Sequence, residues 1–168
     1  MGKRRLFGLG IIGLAALLLF GGCKKNENTI AYINEGPQTN RKIEDLSQTY
    51  YQKVIEFKTN NQLDSALAYS QKAIEQGKWT GSRELGNIYF HRAQIYQELG
   101  QYEKAIASYD SATKYYLLIH EQYDGASKTA LEMAELYKKL GNERLAENYR
   151  IKAKIWDLKG KERDSIRN

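Results

Sequence analysis

The chain has 168 residues, 27% charged and 42% hydrophobic, with one proline, one cysteine and two histidines. A single proline leaves long stretches free to be helical, and the lone cysteine excludes an internal disulfide and a Cys/His metal cluster. The formal charge of +6 falls to +3 without Lys3, Arg4 and Arg5, leaving 23 basic residues against 20 acidic, too small an excess for a nucleic-acid surface.

The N-terminal order is charge, apolar run, small residues. Lys3-Arg4-Arg5 precede fifteen uncharged residues, Leu6 to Phe20, then Gly21-Gly22 and Cys23. That order predicts a secretory leader over residues 1–22. The run Leu19-Phe20-Gly21-Gly22-Cys23 resembles the lipobox of bacterial lipoproteins. The resemblance implies that the Cys23 thiol receives diacylglycerol, that the chain is cut before it, and that Cys23 becomes the acylated N-terminus. Phe20 departs from the pattern, standing where the family usually has leucine. Two or more acyl chains suffice for stable anchoring. Lys24 follows the cysteine where an aspartate would signal inner-membrane retention, so the resemblance favours the periplasmic side of the outer membrane over the inner membrane. An uncleaved anchor is the alternative, since Leu6 to Cys23 gives eighteen apolar or small residues against the ~20 that a span needs. Gly8, Gly10, Gly13 and the basic exit Lys24-Lys25 count against it. A plain leader with an incidental cysteine, and a twin-arginine reading of Arg4-Arg5-Leu6-Phe7, are the remaining options.

Residues 23–40 read as the lipidated cysteine and a polar tether, with Asn26, Asn28, Asn34, Gly36, Pro37 and Asn40. A coil of this length spans roughly 20–25 Å.

From residue 43 the pattern is helical, and it repeats. Ala93-Gln94-Ile95-Tyr96-Gln97-Glu98-Leu99-Gly100 aligns with Ala134-Glu135-Leu136-Tyr137-Lys138-Lys139-Leu140-Gly141 at an offset of 41. Ala105 and Ala112 align with Ala146 and Ala153 at the same offset. A weaker copy, offset by 39, places Val54, Phe57, Asn61, Leu63, Ala66 and Ala73 in the same frame. Each copy predicts helix, tight turn, helix. Gly100 and Gly141, and Asn61 less readily, suit the left-handed residue that ends a helix. The alanines mark where helices come closest. The order Ala93, Tyr96, Leu99, Gly100, Tyr102, Ala105, Tyr109, Ala112 resembles the tetratricopeptide repeat. The third copy departs at Arg150, and the period near 40 exceeds the usual 34. The resemblance implies an all-α fold, a right-handed α-solenoid of three such helix pairs over residues 41–158, with a polar tail at 159–168. Helices are expected at 43–59, 62–77, 81–99, 102–120, 125–140 and 143–158, the last capping the stack with Glu147, Arg150 and Lys154 outward.

A solenoid offers a concave face rather than a ready active site. The family frame implies that this face is lined by Gln48, Tyr51, Ile55 and Lys58 from the first pair. Asn87, Phe90, Gln94 and Gln97 line it from the second, and Lys128, Leu131, Glu135 and Lys138 from the third. Tyr51, Phe90 and Leu131 would form an apolar stripe suited to an extended or helical peptide, or would simply pack. Tyr50, Tyr89, Tyr96, Tyr109 and Tyr137 read as core, Trp79 and Trp156 as partly buried, and His91 and His120 as solvated helix residues. No His-Glu-x-x-His, Gly-x-Ser-x-Gly or phosphate-loop motif occurs. The expectation is a non-enzymatic, membrane-tethered scaffold with protein or peptide partners in the envelope, and no cofactor, metal, nucleic acid or small-molecule substrate. A self-associating structural lipoprotein is one alternative. A ligand binder or enzyme with a pocket at His91 or His120 is another.

Overall fold

The computed structural model describes residues 37–167, which form six helices with no strand among them. The leader, Cys23 and the tether up to residue 36 lie outside the described residues. The helices are α1 (Pro37–Thr59), α2 (Leu63–Thr80), α3 (Leu85–Glu98), α4 (Tyr102–His120), α5 (Tyr123–Lys139) and α6 (Glu143–Arg167). α2 runs to Thr80 rather than 77 and α3 starts at Leu85 rather than 81, because Gly81 takes the left-handed conformation that ends α2, and two further ends differ by more. α1 begins at Pro37 rather than 43 and takes in residues read as tether. Proline suits a first helical position, where its missing N–H would have no helical partner. α6 runs through Arg167 rather than stopping at 158, so most of the predicted tail is helix. Arg163 holds this extension, donating to the Glu121 carbonyl and sitting 5.7 Å from the centre of the Tyr123 ring. Gly160 is buried against Tyr123 one turn earlier.

The first helix of each pair ends in the same way. Asn61, Gly100 and Gly141 have φ of 57°, 71° and 75°. The following N–H groups of Gln62, Gln101 and Asn142 reach back to the carbonyls of Phe57, Tyr96 and Tyr137, each at 2.8 Å. These bonds satisfy carbonyls that a helix end leaves orphaned, and they fold the second helix back antiparallel.

The pairs stack into an α-solenoid. α1 touches α3 and α3 touches α5, whereas α2, α4 and α6 do not touch one another among the described residues. The first helices therefore crowd along the inner side and the second helices splay on the outer side. Ala66, Ala73, Ala93, Ala105, Ala112, Ala126, Ala130, Ala134, Ala146 and Ala153 are all buried, as close helix approach requires. Tyr109, fully buried, and Met133 and Leu136 fill the wider gaps around them. Each such side chain contributes about 1.5–3 kcal/mol by leaving water. At two positions facing the next pair, α2 has Leu67 and Ile74 and α4 has Ile106 and Thr113, but α6 has Glu147 and Lys154. Arg150 beside them pairs with Glu147 at 3.3 Å and Glu135 at 3.5 Å. The stacking face thus closes in charge.

Bulk changes sides between the two stacking interfaces. Tyr116 of α4 sits so tightly against α3 and α5 that a Cβ on Gly86 would fall 2.5 Å from its Cε1, and one on Gly125 2.7 Å from its Cδ1. The repeat-equivalent of Tyr116 in α2 is Gly77, where a Cβ would meet Leu85 Cδ2 at 2.9 Å and Ser47 Oγ at 3.1 Å. One interface therefore places its bulk on α3, as Leu85, and the other on α4, as Tyr116. Gly86 also replaces a serine that the other pairs keep: Ser47 Oγ donates to the Ala73 carbonyl at 3.1 Å and Ser127 Oγ to the Ala153 carbonyl at 2.9 Å.

Candidate functional site

The inner face brings α1, α3 and α5 side by side and with them most of the residues the sequence placed there. The structure sorts these into three groups. Asn87, Gln97 and Glu135 are engaged within the molecule. Asn87 Oδ1 accepts from the Tyr116 hydroxyl at 2.6 Å while its Nδ2 donates to Glu84 at 2.8 Å. Gln97 Oε1 accepts from the Tyr109 hydroxyl at 3.2 Å, and Glu135 pairs with Arg150. Burial raises the pKa of both tyrosines, so their hydroxyls stay protonated donors. Phe90 goes inside. It is 4% exposed, packs edge-to-face on Tyr109 at 5.7 Å, and is covered by the Lys128 ammonium at 4.9 Å. The expected stripe Tyr51–Phe90–Leu131 is therefore interrupted at its centre.

The third group shapes the accessible surface. Leu131 is 51% exposed, and Gln48, Lys128 and Lys138 are exposed with it, while Ile55 is half-buried. Lys58 crosses from α1 to α3, donating to Gln94 Oε1 at 2.7 Å with Glu98 at 3.6 Å. Tyr51 is half-buried against the ring of His91 at 5.8 Å. Its pKa is pushed up to about 12, by burial first and by the Glu84 charge second.

His91 corrects the expectation of a solvated histidine. It is half-buried between Tyr51 and Phe90, and its Nδ1 is buried with no hydrogen-bond partner. Its pKa is lowered to about 4. Burial is the main cause; the Lys58 and Lys128 charges add to it, and a hydrogen bond with Gln94 opposes it. His91 is thus a neutral imidazole at physiological pH, flanked by two ammonium groups. Periodicity could not find it, because its repeat-equivalents are Gln52, which is exposed, and Glu132, a carboxylate that is only half-buried. What buries His91 is the ring of Tyr51 on another helix. His120 ends α4, and its side chain lies outside the described residues.

The resulting patch runs from Tyr51 and Lys58, across His91 and Gln94, to Lys128, Leu131 and Lys138. It offers donors, cationic charge and one open aliphatic side chain, held on rigid helices. This can bind a polypeptide segment by complementary contact. Trp79, read as partly buried, is instead 86% exposed on the outer side.

The tetratricopeptide repeat model matches residues 86–116, which span α3 and most of α4, the second helix pair. No curated protein and no solved structure matches the chain.

Proposed function

We propose that this chain is a membrane-tethered adaptor, a lipoprotein anchored through Cys23, that binds a protein partner along its inner face in the bacterial envelope. Tetratricopeptide repeats generally mediate protein–protein interaction, and the helix pair at residues 86–116 carries that signature. The single observation behind the binding site is the patch on α1, α3 and α5. Leu131 stays open there beside Lys128 and Lys138, while the tyrosines beneath are locked by Asn87 and Gln97. Those contacts are made before any partner arrives, so little ordering is needed on binding. The chemistry suits a peptide with an apolar side chain toward Leu131 and an acidic one toward Lys58 or Lys128. The patch acts by binding, and we read no catalytic role into it.

The anchor reading rests on the order Lys3-Arg4-Arg5, Leu6 to Phe20, Gly21-Gly22-Cys23, and the outer-membrane preference rests on Lys24. Two measurements test the two halves separately. Labelling of producing cells with radioactive palmitate should mark the wild type and leave Cys23→Ala unlabelled; equal labelling, or none in either, removes the anchor. Affinity capture from detergent-solubilised envelopes should lose specific partners in a Lys128→Glu, Leu131→Asp variant. Persistence of the same partners moves the binding surface off the inner face.

A further inference from the structure

The solenoid has two rims. At one, α3 and α5 begin and α2 and α4 end; α1 enters from beyond it, level with α3 only near Ser47, and α6 reaches it near Gly160, which packs against Tyr123, and then passes it. Ten large apolar side chains are exposed among the described residues. Of the four most exposed, Trp79 at 86%, Leu118 at 72% and Leu158 at 65% are at this rim and Ile166 at 79% is on the part of α6 just past it, and the other six range from 38% to 51%. Single exposed apolar residues are ordinary, but these are ordered. Trp79 and Leu118 occupy the same repeat position, offset by 39, in the last turn of α2 and of α4. Leu158 stands one residue before the next equivalent, Lys159, in α6.

The same rim is where the chain arrives from its N-terminal side. Thirteen residues, Lys24 to Gly36, separate Cys23 from α1, and even fully extended they reach at most about 45 Å. The opposite rim lies a helix length away, and the 23 residues of α1 span roughly 35 Å. A tether at Cys23 therefore lets this rim meet the bilayer with far less extension than the other rim would need. Tryptophan and aliphatic side chains suit the membrane interface, where an apolar body meets the acyl boundary and polar neighbours face the headgroups. Lys78 beside Trp79 and Lys159 beside Leu158 are both exposed, and their stems can lie along the apolar layer with the ammonium in water. The rim's exposed charges are mixed, Lys78, Arg83, Lys114, Lys159 and Lys161 against Glu75, Glu121, Asp124, Asp157, Glu162 and Asp164, so apolar insertion rather than anionic lipid supplies the attraction.

We infer that the rim carrying Trp79, Leu118 and Leu158, with Ile166 just past it, rests in the interfacial layer of the membrane to which the chain is tethered, holding the solenoid upright. The inference rests on the anchor reading above. It is tested with the full chain, purified from membranes of producing cells and reconstituted into phosphatidylcholine vesicles. Flotation reports tethering. The difference in fluorescence between wild type and Trp79→Ser isolates Trp79 from the chain's other tryptophan. Insertion of about 5–10 Å should cut its quenching by aqueous iodide about three-fold relative to a Leu118→Asp, Leu158→Asp, Ile166→Asp variant. It should also make Trp79 quenchable by lipids brominated along the acyl chain. A protein that floats while Trp79 stays open to iodide keeps its anchor and loses the docked rim. Shielding from iodide without quenching by brominated lipid means that a second copy covers the rim, and this also overturns the inference. Failure to float removes the anchor and, with it, the inference.

Discussion

The close fit of Tyr116 against Gly86 makes a sharp prediction. On an exposed helix, glycine to alanine stabilises by about 1 kcal/mol. At Gly86 the added methyl would sit 2.5 Å from Tyr116 Cε1 and 2.6 Å from Cδ1. The ring has no ready retreat, because the Gly125 backbone is just as close, a Cβ there falling 2.7 Å from Cδ1, and its hydroxyl is held by Asn87 at 2.6 Å. Overpacking of this kind costs ~1–3 kcal/mol. Expelling the ring instead forfeits burial worth roughly 3 kcal/mol and a hydrogen bond worth about 1 kcal/mol. After the propensity gain, Gly86→Ala should destabilise by about 2 kcal/mol, a sizeable part of the ~5–15 kcal/mol that holds a domain together. Urea unfolding followed by circular dichroism at 222 nm measures it. The internal control is Gly160→Ala, whose Cβ would make only an ordinary 3.4 Å contact with Tyr123 and should be neutral or stabilising by up to ~1 kcal/mol. The cycle closes with Tyr116→Ala: in that background Gly86→Ala should turn from destabilising to neutral or better. Equal or greater stability of Gly86→Ala in the wild-type background would refute the steric reasoning outright.

Other expectations follow from the same geometry. The His91 pKa is lowered from 6.5 to about 4, so its contribution is complete above pH 6.5 and is lost as pH falls toward 4. There the unfolded chain binds a proton that the folded one refuses, a loss of roughly 2–3 kcal/mol. Acid titration of unfolding midpoints should show this slope in the wild type, and His91→Gln should flatten it. Glu121 adopts a left-handed φ of 47°, and Glu121→Gly should raise stability by about 0.5–1 kcal/mol, read as a higher thermal midpoint. Ser127→Ala removes the bond to the Ala153 carbonyl and should cost ~1 kcal/mol in the same urea assay. Leu131→Asp, at an exposed position, should leave the unfolding midpoint within about 0.5 kcal/mol of wild type while lowering partner capture.

What the sequence could disclose was whatever repeats locally. Gly100, Gly141 and Asn61 announced three helix ends, and all three are left-handed. The alanines announced close packing, and they are buried. What stayed hidden depends on partners far along the chain. Residues 159–168 read as a polar tail, yet Arg163 reaches Glu121, 42 residues earlier, and the helix continues. The repeat frame set Phe90 beside Tyr51 and Leu131 as equals, but Lys128 from the next pair closes over it. Trp79, in the last turn of α2, is 86% exposed, which an aromatic near a helix end does not announce in the sequence.

Three near-copies of one helix pair in a single chain invite a pair to dock on the wrong neighbour, within one molecule or between two. The exchanged bulk at Gly77/Leu85 and Tyr116/Gly125 acts as a keyed connector against that error. Set the third pair on the first, and Gly77 faces Ala126, leaving a hole where Leu85 belongs. Set a second pair on another second pair, and Tyr116 meets Leu85, with no glycine to receive the ring. Holes and collisions both cost kilocalories, so only the native order fills every site. The array therefore carries its own address labels. Excising the middle pair to make a shorter protein should yield two halves that do not fit.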